Sequence, residues 1–114
     1  MAIQTAALKN TLATAYGNAA THGAIYTTAP GATAGTEPSG GTPAYARKPL
    51  TWGAPSNGLI TATATFDVPT GTTIVGAGVH SALTAGNYLD GGGLTSQAFN
   101  SQGTMTVTYT YQQS

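Results

Sequence analysis

Charged side chains are almost absent from this chain of 114 residues, of which only 5% are Asp, Glu, Lys or Arg. An average soluble domain carries about a quarter of its residues as these four types. Because most enzyme chemistry depends on ionisable groups, so small a set argues against an enzyme. The formal net charge of zero also removes the repulsion that keeps monomers apart, so it favours packing against neighbours. The charged residues are Lys9, Glu37, Arg47, Lys48, Asp67 and Asp90.

Cysteine is missing altogether, which excludes disulfides and thiolate metal sites. No apolar run approaches the ~20 residues that span a bilayer, so no contact with a membrane is expected. The first residues lack the basic start and continuous apolar centre of a secretory signal, and we expect synthesis in a cytoplasm. The adjacent pair Arg47 and Lys48 is too little positive charge for binding to nucleic acid.

The apolar spacing near the N-terminus predicts one short helix. Leu8, Leu12 and Tyr16 recur every four residues, and Gly17 is a plausible stop, so we expect a helix over about residues 3–16. A helix of this length is unstable without docking, so its stripe should be buried on the domain's own sheet or against another protomer. The expected organisation is a helical segment, 1–22, followed by a β domain.

That β domain spans residues 23–114, and its apolar residues recur with a period of two. Residues 24–28 are predicted to form a first strand, and Pro49 indicates an edge strand or a bulge within 45–52. Asn57-Gly58 is a strong signal for a tight hairpin turn. The segment 83–94 is predicted to be a loop with a short strand near 87–89.

Two segments alternate most clearly between apolar and Thr residues, at 60–68 and 104–111. Between them, Thr73, Val75, Ala77 and Val79 are predicted to face inward. The pattern predicts a mainly β fold: an antiparallel β-sandwich or jelly-roll-like domain with one short N-terminal α-helix. Because its uncharged strands lack the lysines that guard sheet edges, we expect permanent partners to cover those edges.

No catalytic, cofactor or metal site is expected. The carboxylates Glu37, Asp67 and Asp90 lie in separate segments and show no spacing typical of a catalytic pair. His22 and His80 lack a nearby second ligand, so they are interpreted as packing or surface residues.

The aromatic residues leave two interpretations open. A neutral platform for stacking sugars is one, and burial in the core or at a protomer interface is the favoured one. The residues concerned are Tyr26, Tyr45, Trp52, Tyr88, Tyr109 and Tyr111.

A series of short motifs runs through most of the chain after an Ala-rich helix. They are Thr28 to Gly31, Glu37 to Gly41, Tyr45 to Lys48, Thr51-Trp52, Phe66 to Thr73, Gly91 to Thr95 and Gln102 to Thr104. In this order they resemble a family of small structural proteins of tailed bacteriophages, especially phages of actinobacteria. Members of that family are labelled as capsid decoration, minor tail or tail-fibre proteins.

The resemblance implies a non-enzymatic virion component made in the host cell. The first expectation is a capsid decoration or minor capsid protein on the outer head surface, forming a homotrimer and binding the major capsid protein. The alternatives are a tail accessory or tail-fibre component that binds tail proteins, and a carbohydrate-binding module for host attachment. The loop 29–43, rich in Gly and Pro, is a candidate contact surface. The candidate partner-contact residues are Leu8, Leu12, Tyr16, Pro30, Glu37, Arg47, Lys48 and Trp52.

Overall fold

The computed structural model describes residues 2–114, and these residues form one helix and six strands. The mainly β fold with a single N-terminal helix, predicted from the sequence, is confirmed. The elements are α1 (Ala6–Ala19), β1 (His22–Tyr26), β2 (Lys48–Pro49), β3 (Leu59–Val68), β4 (Thr72–His80), β5 (Tyr88–Phe99) and β6 (Gly103–Gln112).

The strands form two antiparallel sheets with the core between them. One sheet has the order β2-β1-β4-β5, and the other consists of β3 and β6. Ile25 and Ile74 of the larger sheet share one buried cluster with Phe66 and Val68 of the smaller sheet. Removal of this apolar surface from water is the main force that holds the two sheets together.

The helix begins and ends about three residues later than the spacing predicts. It begins after Thr5, whose hydroxyl accepts a hydrogen bond from the amide of Leu8 at 3.3 Å. Gly17 lies inside the helix and does not end it. A Cβ atom at this position would lie 3.2 Å from the ring of Trp52, so glycine here lets the helix approach that ring closely.

The apolar stripe of the helix is only partly buried. Ala13 is fully buried and Tyr16 packs against the core, whereas Leu8 and Leu12 are 49% and 37% exposed. The helix lies on its sheet through the face of Ala13, Tyr16 and Gly17, which is rotated away from the two leucines. Burial of Leu8 and Leu12 on the domain's own sheet is therefore wrong, and burial against another protomer stays a prediction.

The predicted alternation of β3 and β6 is confirmed. The two strands pair without interruption from Leu59 opposite Gln112 to Val68 opposite Gly103. The inward residues of β3 are buried and its Thr residues are exposed. The predicted turn before β3 is present, with positive φ at both Asn57 and Gly58.

The pairing of β4 with β5 is irregular near Ile74, where β4 advances two residues while β5 advances four. The register shifts between Ile74 and Gly76, so Ile74 is buried in the core while Thr73 is exposed. The inward prediction is correct for Ala77 and Val79 and wrong for Thr73, while Val75 is only half-buried and lies outside the core cluster. Ile74 and Ala77 are three residues apart and both lie in the core, so the alternation changes phase between them and a strict period of two places Thr73 on the wrong face.

Strand β5 occupies most of a segment that was predicted to be a loop. It runs for 12 residues through Gly91 to Gly93, which lie opposite Gly78 to Gly76 of β4. Glycine has a low strand propensity, but pairing with β4 holds the backbone extended. The short strand predicted near 87–89 is present from Tyr88, and the prediction of a loop is wrong for residues 90–94, through which the strand continues.

Candidate functional site

The long loop before β2 is tied to the domain by an ion pair. Arg47 Nε and Nη2 donate hydrogen bonds to Glu37 Oε1 and Oε2 at 3.0 and 2.9 Å. The hydroxyl of Tyr45 donates to Glu37 Oε1 at 2.7 Å. The remaining guanidinium nitrogen donates to the carbonyl oxygens of Ala82 and Ala85 at 3.0 and 2.9 Å. Arg47 therefore joins the loop 29–43 to the connection between β4 and β5.

The electrostatics of this cluster keep both partners charged. Burial would raise the pKa of Glu37, but hydrogen bonds from Arg47 and Tyr45 outweigh it and hold the pKa below its ordinary value. The hydrogen bond to Glu37 raises the pKa of Arg47. Burial, followed by the bond to Glu37, raises the pKa of the Tyr45 hydroxyl. The pair is ionised at neutral pH, and its polar atoms are satisfied inside the domain.

The residues proposed as partner contacts in and beside this loop differ in how exposed their side chains are. Arg47 and Glu37 have only 13% and 25% of their side chains exposed. Lys48 lies on the surface with its ammonium nitrogen 3.7 Å from a carboxylate oxygen of Asp67. Pro30 is half-buried beside Gly76. Contact of these residues with a partner stays a prediction, and the geometry assigns Arg47 and Glu37 a role inside the domain.

Next to this loop lies a buried cluster around His80. Its Nε2 atom is 2.6 Å from the hydroxyl of Tyr26, and the ring of Tyr88 packs edge-on at 5.6 Å. Burial, together with the positive charge of Arg47, lowers the pKa of His80. The imidazole is therefore neutral at pH 7 and serves in packing.

The helix is docked by aromatic contacts at one end of the sandwich. The ring of Tyr16 stacks on Tyr111 at 4.0 Å and meets the edge of Trp52 at 5.8 Å. The Tyr16 hydroxyl donates to Asp90 Oδ2 at 3.0 Å, and the Trp52 indole donates to the carbonyl of Ala20 at 2.8 Å. Burial, followed by the bond to Asp90, raises the pKa of Tyr16. Two of the proposed contact residues, Tyr16 and Trp52, thus hold the helix in place.

Between the edge strands β5 and β6 the sandwich is open. A groove of about 280 Å³ lies beside Tyr16 and Trp52, and a second of about 330 Å³ continues along the strands. Both grooves are lined by Leu94, Val107 and Thr108. We call this continuous opening the β5–β6 cleft. Sequence reasoning missed it because the Gly-rich half of β5 carries no strand signal.

The carboxylates are spread over different contacts. Glu37 pairs with Arg47, Asp67 lies near Lys48, and Asp90 accepts from Tyr16. Within residues 2–114, no group of three or more His, Cys, Asp or Glu side chains is placed to hold a metal ion. The helix of the described chain is too short and too polar to cross a membrane.

The domain is thus a neutral β-sandwich with two open strand edges, in which Glu37, Arg47, Lys48, Asp67 and Asp90 make contacts within the chain. Residues 2–111 match the family described as "Podophage GP4 fiber I protein gp80", and the chain belongs to this family of phage fibre proteins. No curated protein and no solved structure matches the chain. The match confirms the expectation, drawn from the resemblance, that this chain is a structural protein of a phage and a virion component.

Proposed function

We propose that this protein is a non-enzymatic structural component of a phage tail fibre. The observation that carries the proposal is the match of residues 2–111 to a fibre family. This match favours the tail-fibre alternative over capsid decoration, which the sequence alone placed first. Capsid decoration stays a prediction, and the same experiment tests both.

The shape and internal bonding of the domain suit a building block. It measures 48 × 22 × 22 Å, so it is an elongated unit. Its ionised side chains stabilise loops: Arg47 alone donates to Glu37, Ala82 and Ala85. Loops held in this way present a constant surface to neighbouring chains, as a repeated assembly requires.

A role in carbohydrate binding has less support from the geometry. The ring of Tyr111 stacks on Tyr16, and the indole nitrogen of Trp52 donates to the carbonyl of Ala20. Tyr109 is buried and donates to the carbonyl of Ala24 at 2.8 Å. The aromatic residues that were candidates for sugar stacking are therefore largely engaged in the fold.

The test is the location of the protein on intact virions. A gold-labelled antibody against the chain, viewed by electron microscopy, is expected to mark the tail fibres. Virions from which the gene has been deleted are the control for nonspecific label. Gold scattered over the head would overturn the proposal and restore capsid decoration as the leading function.

A further inference from the structure

One side of the sandwich is closed and the other is open. The closed side is covered by the segment 50–53, which follows β2 and bonds to both sheets. The amide of Leu50 donates to the carbonyl of Thr21 next to β1 at 2.9 Å, and the amide of Gly53 donates to the carbonyl of Thr61 in β3 at 3.0 Å. On the open side, β5 pairs only with β4, and β6 pairs only with β3. Two strands of 12 and 10 residues therefore end their sheets without a neighbour in the described chain.

The free edge of β6 has a defined set of hydrogen-bonding groups. The amide of Gln113 donates to the carbonyl of Gly58 at 2.9 Å, which continues the β3–β6 register by one pair. Because bonded and non-bonded pairs alternate in an antiparallel ladder, the odd-numbered residues of β6 bond to β3. The amides and carbonyls of its even-numbered residues therefore point to the free edge. They belong to Thr104, Thr106, Thr108, Thr110 and Gln112.

Apart from two irregularities in the pairing of β5 with β4, neither edge carries the features that normally prevent pairing. Strand β6 has no charged residue and no proline, and β5 has a single charge, Asp90. The carboxylate of Asp90 accepts from Tyr16 and from the amide of Gly91, so it is already engaged. Between the edges, the half-buried side chains of Leu94 and Met105 lie along the β5–β6 cleft. Such edges pair readily with another chain.

We propose that a second copy of this chain adds its β6 to the free edge of β5. The two edges have similar length and together carry one engaged charge, and the chain has zero net charge, so no repulsion opposes the approach. A contact between unlike edges covers both open strands with one repeated interface, whereas β5 on β5 would leave β6 uncovered. It also extends the two-stranded sheet, which is marginal by itself. This inference does not depend on where in the virion the protein lies.

The test blocks each edge separately and then mixes the blocked chains. Thr95→Lys/Gln97→Lys places charge on β5, and Thr108→Lys/Thr110→Lys places charge on β6; all four positions are exposed. In sedimentation equilibrium, the association constant of each variant alone is expected to be at most about one tenth of the wild-type value. An equimolar mixture is expected to form a two-chain complex, because one variant keeps a free β6 and the other keeps a free β5.

The matched control is Thr61→Lys/Thr63→Lys, since these residues lie opposite Thr110 and Thr108 on the same outer face of the sheet. It should associate like wild type. Circular dichroism checks that the variants are folded, and recovery of binding in the mixture checks it independently. A wild-type chain that stays monomeric, a β6 variant that still associates fully, or a control as weak as the β6 variant would each overturn the proposal.

Discussion

Arg47 and Glu37 form a two-pronged ion pair at 2.9 and 3.0 Å, and the same guanidinium donates to Ala82 and Ala85 in the connection between β4 and β5. Among the few charged side chains of the domain, Arg47 and Glu37 make the most hydrogen bonds. Arg47 and Lys48 are neighbours in sequence, yet only Arg47 is enclosed, while Lys48 meets Asp67 near the surface at 3.7 Å. The two adjacent basic residues therefore differ in what they contribute to stability.

Arg47→Lys should destabilise the domain. Lysine keeps the charge but loses the fork that bonds Glu37, Ala82 and Ala85. Because both side chains are slightly exposed, we expect a loss of about 2 kcal/mol in the free energy of unfolding, less than for a fully buried pair. Urea unfolding followed by Trp52 fluorescence measures it. Lys48→Ala is the matched control, and its loss should stay below about 1 kcal/mol.

Stability should fall as the solution becomes acidic. Folding lowers the pKa of Glu37 from 4.5 and that of His80 from 6.5. A group with a lowered folded pKa binds more protons when unfolded, so its contribution is present above the unfolded pKa and is lost as pH falls toward the folded pKa. The free energy of unfolding should decline below about pH 6.5 because of His80, and further below about pH 4.5 because of Glu37.

Unfolding free energies measured across this range check the pH prediction. Glu37→Gln should reduce the decline below about pH 4.5 and leave the decline near pH 6 in place. A profile for Glu37→Gln that runs parallel to wild type over the acidic range would contradict the role given to this carboxylate.

Gly17→Val should weaken the docking of the helix. A Cβ atom there lies 3.2 Å from Trp52 and 3.3 Å from Ile60, and the branched side chain requires more room still. Overpacking of this kind costs about 1–3 kcal/mol. Ala15→Val, at an exposed position of the same helix, is the control and should cost only the difference in helix propensity, about 0.6 kcal/mol. Thermal unfolding of both variants measures the difference, and equal losses would contradict the close packing.

Tyr109→Phe should cost about 1–2 kcal/mol, because its buried hydroxyl donates to the carbonyl of Ala24 at 2.8 Å. This bond joins β6 of the smaller sheet to β1 of the larger one. Tyr111→Phe is the matched control on the same strand, since its hydroxyl bonds Gln113 close to the chain end and the residue is only half-buried. Denaturant unfolding compares the two, and a smaller loss for Tyr109→Phe than for Tyr111→Phe would refute the proposed link.

Local periodicity was enough to predict part of the fold. The alternation in β3 and β6, the turn at Asn57-Gly58 and the single helix depend on side chains close in sequence, and each is present in the structure. Most of the long strand β5, beyond the short strand predicted near 87–89, was missed because its glycines have no pattern of their own, and only their pairing with β4 holds them extended.

The candidate site was less accessible to sequence reasoning. The residues around Arg47 in the sequence do not indicate that its partner is Glu37, or that Ala82 and Ala85 supply the remaining acceptors. The same holds for Tyr16 and Asp90, which meet across the domain. Long-range hydrogen bonds depend on how whole elements are stacked, which residue spacing does not specify.

By itself, the sequence determined that this is a neutral, mainly β domain with one short helix, without cysteine and with few ionisable side chains. Those properties follow from composition and from the two-residue period of extended chain. Only the tertiary structure decided that Arg47 is enclosed, that Leu8 and Leu12 stay exposed, and that β5 and β6 are left as open edges. These outcomes depend on which strands pair and which face of the helix packs, and that is settled by the burial of the whole core at once.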